Sequence, residues 1–146
     1  MIFKKDITVR WSDIDHNQHV RHSAYYDYGA VVRIAFFESI GYTMNRLSEL
    51  NLGPILFKEG CSFFGEIKLN EVITIDMKRG DISEDGSKWS FYHDIHTSDG
   101  KLAAQITVQG AWMDTEKRRI TNPPEDLNEA FLNLEKGEQF TYKTTQ

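Results

Sequence analysis

Between Ser23 and Gly41 the chain reads SAYYDYGAVVRIAFFESIG, with apolar residues at Ala24, Tyr28, Val31, Val32, Ala35, Phe36 and Ile40. Their three- and four-residue spacing describes one face of a helix of about four to five turns. Ser23 is placed to cap its start, and Gly41 to close it. Tyr25, Tyr26 and Phe37 lie off the main stripe and widen the apolar surface beyond what a surface helix needs. Such a helix must be covered on several sides.

The rest of the sequence supplies the cover. Ahead of the helix, Ile7, Val9 and Trp11 alternate with Thr8 and Arg10, which predicts a half-buried strand over Asp6–Trp11. After it, Thr43 opens a short helix through Leu50, with Leu47 and Leu50 as its buried pair and NLGP as its stop. Strands are expected over Ile55–Ile67, Ile73–Lys78, Lys88–His96 and Lys101–Asp114. The turns Asp85-Gly86 and Asp99-Gly100 make the later ones an antiparallel meander. Asn122-Pro123-Pro124 introduces a last helix carrying Leu127, Ala130, Phe131 and Leu134.

This order belongs to the α+β class, an antiparallel sheet wrapped around one long helix. It forms one domain over residues 1–135, and the polar tail 136–146 is expected to fray. A single sheet leaves an open strand edge, which a second copy can cover, so a homo-oligomer is expected, dimer or tetramer.

At 146 residues, 40% hydrophobic and 27% charged, the chain is long enough for one core and unlike a disordered or membrane-spanning one. A net charge of −5 argues against duplex nucleic acid as the main partner. The lone Cys61 excludes an internal disulfide, and the start MIFKKDITVRW lacks a secretory apolar core, so a cytoplasmic protein is expected.

The candidate chemistry is concentrated in WSDIDHNQHVRHSAYYDY, Trp11–Tyr28, which holds His16, His19 and His22 of the five histidines together with Asp13, Asp15 and Asp27. The stretch lies on the approach to the long helix. Unpaired backbone N–H groups and the helix dipole favour a carboxylate or a developing oxyanion there. An ionised Asp so placed could attack an acyl carbon or deprotonate a water. Asp13 and Asp15 could equally be simple caps, and His19 a surface histidine. His at every third residue on a loop matches no standard zinc spacing, so no metal is expected, and hydrolysis by a carboxylate would require no cofactor.

SDIDHNQHV followed by Tyr25 resembles the hot-dog-fold acyl thioesterases of the 4-hydroxybenzoyl-CoA thioesterase-like kind. These carry Asp-x-Asp, then Gly-His-Val-Asn-Asn, then a Tyr on the central helix. DHNQHV is closer still to the Asp-x-Asn-Gln-His-Val loop of plant acyl-carrier-protein thioesterases. The resemblance implies a hot-dog fold and hydrolysis of acyl-CoA or acyl-carrier-protein thioesters. It makes Asp15 the catalytic carboxylate, Asn17 and His19 the pair that orients substrate and water, and Glu59 an assisting acid. Val20, His22 and Tyr25 would line the substrate site. Arg33 matches a helix position that suits an ion pair. Arg21 and His22 stand where the family has Asn-Asn, Gln18 replaces a Gly of the small bacterial members, and Ala30 and Val31 replace acidic residues of some relatives.

Other features carry plainer readings. Cys61 reads as a small buried hydrophobe rather than a nucleophile, Glu116–Arg119 as a solvated turn, and His93 and His96 as structural. Two rivals stand beside a thioesterase. One is a hot-dog enoyl-thioester hydratase or dehydratase using His19, and the other is a non-catalytic acyl-thioester-binding module.

Overall fold

The computed structural model describes residues 2–141. Its elements are β1 (Phe3–Thr8), α1 (Ala24–Ser39), α2 (Met44–Glu49), β2 (Leu52–Phe63), β3 (Val72–Ile82), β4 (Lys88–His96), β5 (Leu102–Asp114), β6 (Arg119–Ile120) and α3 (Glu125–Leu132). The sheet runs β1-β3-β4-β5-β2 with every neighbour antiparallel, and β6 adds a short pairing to β5. It curls around α1, which packs on β1, β3 and β5. This is the hot-dog arrangement expected from the sequence.

The wide apolar surface of α1 is used on several sides: Ala24, Tyr25, Tyr28, Val32, Phe36 and Phe37 are all buried. Phe36 and Phe37 meet Phe131 of α3, whose ring also stacks on Trp112 of β5 and stands edge-on to Phe91 of β4. Gly41, Gly86 and Gly100 adopt φ of +83°, +76° and +83°, the left-handed conformation that the helix end and the two Asp-Gly turns require.

The first strand differs from its expected bounds. β1 ends at Thr8, and Trp11 is 79% exposed rather than facing the core. The Arg10 side chain and backbone N–H bond to the Asp13 carboxylate, which winds Trp11–Asp13 into a 3₁₀ turn and swings Trp11 outward. Ser23 does not cap α1; its own backbone is helical, and its hydroxyl takes a hydrogen bond from Arg21 Nη1 at 2.5 Å. In α2, Thr43 Oγ1 accepts from the Arg46 N–H as expected of a cap, but only Leu47 is buried, and Leu50 turns to solvent past the helix end. NLGP opens β2 instead of preceding it, since Leu52, Gly53 and Pro54 already pair with β5.

Residues 136–140 are held where fraying was expected. Arg79 N–H donates to the Glu135 carbonyl and Gly137 N–H to the Arg79 carbonyl, while Gln105 bonds both Glu138 O and Phe140 N–H. The segment covers a polar cluster on the outer face of the sheet. There Lys78 Nζ lies 3.0 Å from both Asp76 and Asp94, and Gln105 donates to Asp94. Residues 142–146 of the tail lie outside the described residues.

A β-bulge in β2 decides what faces the helix. Leu56 pairs with Gly110 but Lys58 with Gln109, leaving Phe57 unmatched. Directly opposed residues share a sheet face. After the bulge, Glu59, Cys61 and Phe63 pair with the buried Val108, Ile106 and Ala104, and so face inward. In an unbroken register Glu59 would oppose Thr107 and point to the other side.

Candidate functional site

Asp15, Asn17, His19 and Val20 sit on a tight hairpin between the 3₁₀ turn and α1. Ile14 bridges to Val20, Asp15 N–H donates to the His19 carbonyl at 2.9 Å, and Gln18 N–H donates to the Asp15 carbonyl at 3.0 Å. Gln18 takes the left-handed conformation, φ +65°, at the position where small bacterial relatives are said to carry Gly. The Asp15 carboxylate closes the turn: Oδ1 accepts the Asn17 N–H at 2.8 Å and the His19 N–H at 3.4 Å. No hydrogen-bond donor among the described residues reaches Oδ2. One oxygen is thus spent on holding the loop, and the other is exposed to whatever binds beside it.

The hairpin is stitched to the segment that follows β2. Val20 N–H donates to the Ile67 carbonyl, His19 forms a bridge to Lys68, and His19 Nε2 lies 3.3 Å from Glu66 Oε2. Val20 is buried, and His22 and Asn17 are exposed. Arg21 spans the junction with the helix, donating to the Ser12 carbonyl and the Ser23 hydroxyl and lying 3.9 Å from Asp27.

Asp13 belongs to the frame. Its buried carboxylate accepts from Arg10 and from the Tyr28 hydroxyl. Burial alone would raise its pKa, but the hydrogen bonds from Arg10 and Tyr28 prevail and hold it below the usual carboxylate range. Loop position alone does not distinguish Asp13 from Asp15, and the family resemblance singles out Asp15. The structure buries the first and exposes the second.

Tyr25 and Glu59 lie on the other wall, where the first turns of α1 face β2. Tyr25 is buried edge-on against Phe63, with ring centroids 4.9 Å apart, and its hydroxyl is pushed up to about 12 by burial. Glu59 lies 3.8 Å from Arg33 of α1. Burial raises the Glu59 carboxyl above its ordinary value, against the pull of Arg33. Among the described residues no hydrogen bond or ion pair joins Asp15 to Glu59, so the hairpin and the β2 wall are separate clusters along one helix. Cys61, between them on β2, is pushed up to about 12 by burial and then by Glu59, the reverse of an activated thiol.

An apolar cleft of about 480 Å³ opens farther along, lined by Ile34, Phe37, Tyr42, Met44, Leu47 and Leu52. It lies ten residues down α1 from the hairpin end, roughly 15 Å at the helical rise. Thr115–Arg118 forms the exposed turn between β5 and β6, and Arg119 opens β6. Among the described residues no group of three or more His, Cys, Asp or Glu is arranged to hold a metal ion. No helix there is long and apolar enough to cross a membrane.

A family model described as the thioesterase-like superfamily matches residues 9–131. No curated protein matches the chain. Among solved structures, a hypothetical protein of Staphylococcus aureus in complex with CoA superposes with a TM-score of 0.87 at 20% identity, covering 100% of this chain and 96% of that one. The 1,4-dihydroxy-2-naphthoyl-CoA thioesterase of Synechocystis gives 0.82 at 12% identity, over 92% and 98%. A gentisyl-coenzyme A thioesterase gives 0.77 at 16% identity, over 88% and 98%. At these identities the likeness shows a shared fold.

Proposed function

The chain belongs to the thioesterase-like superfamily, and from that membership we propose that it hydrolyses an acyl thioester of coenzyme A, or of an acyl carrier protein, to a free acid and a thiol. The observation that carries this reading is the state of Asp15: a carboxylate fixed through Oδ1 by its own loop, with Oδ2 unengaged among the described residues, on the hairpin that leads into α1. The CoA-bound and thioesterase structures of the same fold support a thioester as substrate.

In this reading Asp15 Oδ2 takes a proton from water as the water attacks the acyl carbon, the C–S bond breaks and the proton passes to the departing thiolate. Alternatively, Oδ2 attacks that carbon itself, displacing the thiolate to leave an acyl–Asp15 anhydride that water then hydrolyses to the free acid. Asn17 and His19 orient water and thioester from the same hairpin. First-turn N–H groups of α1, which no side chain caps, stabilise the carbonyl oxygen as it gains charge. Glu59 assists from β2, and Val20, His22 and Tyr25 shape the acyl site. No step draws on a metal or cofactor.

A second copy completes the fold's exposed side. The outer edge of β2 is unpaired among the described residues, and it carries exposed Leu56 and Phe57 while α1 exposes Val31 and Ile34 nearby. An open edge bordered by apolar side chains suits pairing with the same edge of another chain. We assign the working unit as a homodimer or a tetramer of such dimers.

The test is thiol release from short, long and aromatic acyl-CoA thioesters and from acylated carrier protein. Release from any of them supports the hydrolase. Reversible hydration of an enoyl thioester without thiol release would favour the hydratase instead. Tight binding with neither reaction would favour a binding module.

A further inference from the structure

Arg33 is an arginine in the third turn of the central helix, buried, with one acid partner and one base partner. Its Nη1 lies 3.0 Å from His93 Nε2 on β4, and its Nη2 lies 3.8 Å from Glu59 Oε2 on β2. The far side of His93 fixes the proton arrangement. His93 Nδ1 lies 2.9 Å from the Asp76 carbonyl oxygen, which can only accept, so Nδ1 carries the hydrogen. Nε2 is then a lone pair, the only form that can receive an N–H from arginine, which can only donate. Burial first, and the Arg33 charge second, push His93 down to about 3, so the imidazole stays neutral at any working pH.

A second feature of the chain makes room for this pair. Gly29 lies one turn before Arg33, inside a helix where glycine is unfavourable by about 1 kcal/mol relative to alanine. A Cβ there would come within 3.1 Å of Arg33 Nη1 and 3.4 Å of His93 Cδ2. A side chain there would crowd the guanidinium against the imidazole. On the other side, the bulge at Phe57 is what turns Glu59 inward to meet it. Two departures from regular structure, a glycine inside a helix and a bulge in a strand, converge on one side chain, Arg33.

We propose that Arg33 and His93 are positioning residues for Glu59: the neutral imidazole pins one edge of the guanidinium, which presents its other edge to the Glu59 carboxylate and holds it facing the substrate site. This rests on the proposed role of Glu59 in thioester hydrolysis. Among the described residues Arg33 is the only cation of the groups that face Glu59, the others being Asp27 and Tyr26 on α1 and Cys61 on β2. Without Arg33, burial and Asp27 both act to protonate the acid.

The experiment reads Glu59 directly, by carbon NMR titration of its carboxylate, beside the pH profile of thiol release. Arg33→Met is expected to raise the Glu59 midpoint by about one pH unit or more, on the scale of losing an opposite charge at this range. The acidic limb of kcat should move up with it, kcat should fall about tenfold, and KM should change little. His93→Gln, whose amide can donate to Asp76 O and accept from Arg33, should stay near the unaltered protein. His93→Leu should move toward Arg33→Met, and this pair decides the matter if Arg33→Met does not fold. A Glu59 midpoint unchanged in the folded variants would overturn the proposal. A shifted midpoint in a protein that releases no thiol would instead leave the Arg33–Glu59 coupling intact and overturn the catalytic reading of Glu59.

Discussion

The Tyr28 hydroxyl donates to Asp13 Oδ2 at 2.9 Å inside the core, tying the second turn of α1 to the turn that precedes the hairpin. Arg10 closes the same carboxylate from outside. The position of Asp15, two residues on, therefore depends on a bond made by neither Asp15 nor its loop.

Tyr28→Phe removes one donor from a buried carboxylate and is expected to lower stability by about 1–3 kcal/mol in urea unfolding at neutral pH. The loss should be pH-dependent. The folded Asp13 is held below its ordinary value, so its contribution is present above about pH 4 and is lost as pH falls through the still lower folded value. The unaltered and variant proteins should accordingly converge in stability as pH falls through that lowered value.

His93 gives a second and separate pH signature. Its folded value of about 3 lies below the ordinary 6.5, so the unfolded chain takes up a proton that the folded one refuses. Its contribution is complete above about pH 6.5 and declines as pH drops below it, by about 1.4 kcal/mol per unit for one proton. His93→Gln should be flatter than the unaltered protein between pH 6.5 and 4 in the same unfolding series.

The sequence carries local structure further than it carries contacts. The apolar spacing of α1, the Asp-Gly turns and Gly41 each rest on signals within a few residues, and each is where the spacing places it. Trp11 misleads because alternation with Ile7 and Val9 continues past the point where Arg10 and Asp13 stop the strand. Leu50 misleads because the helix ends at Glu49, and the capping Leu50 turns to solvent. The hairpin residues Asp15 to Val20 are adjacent in sequence, so their grouping was legible. Glu66 as the partner of His19, and His93 as the partner of Arg33, were not. These contacts span dozens of residues, and the meeting of Arg33 with Glu59 also requires an unmatched Phe57 that no periodicity announces.

The edge of β2 predicts an association state. Phe57, 56% exposed beside the unpaired edge, should lie in the contact between copies. In sedimentation the unaltered protein is expected to run as a dimer or tetramer, and Phe57→Asp should shift it toward monomer. An unaltered protein that sediments as a monomer at micromolar concentration would count against pairing along this edge.

The most direct measurement is thiol release by Asp15→Asn beside the unaltered protein, on whichever acyl thioester the latter hydrolyses best. Asparagine keeps an oxygen to close the turn with the Asn17 and His19 N–H groups, so the loop is preserved while the base is lost. The account predicts a fall of about a hundredfold or more in kcat, the scale of losing a catalytic base, with the fold unchanged by circular dichroism. Release undiminished by the substitution would place the chemistry elsewhere and contradict the assignment of Asp15.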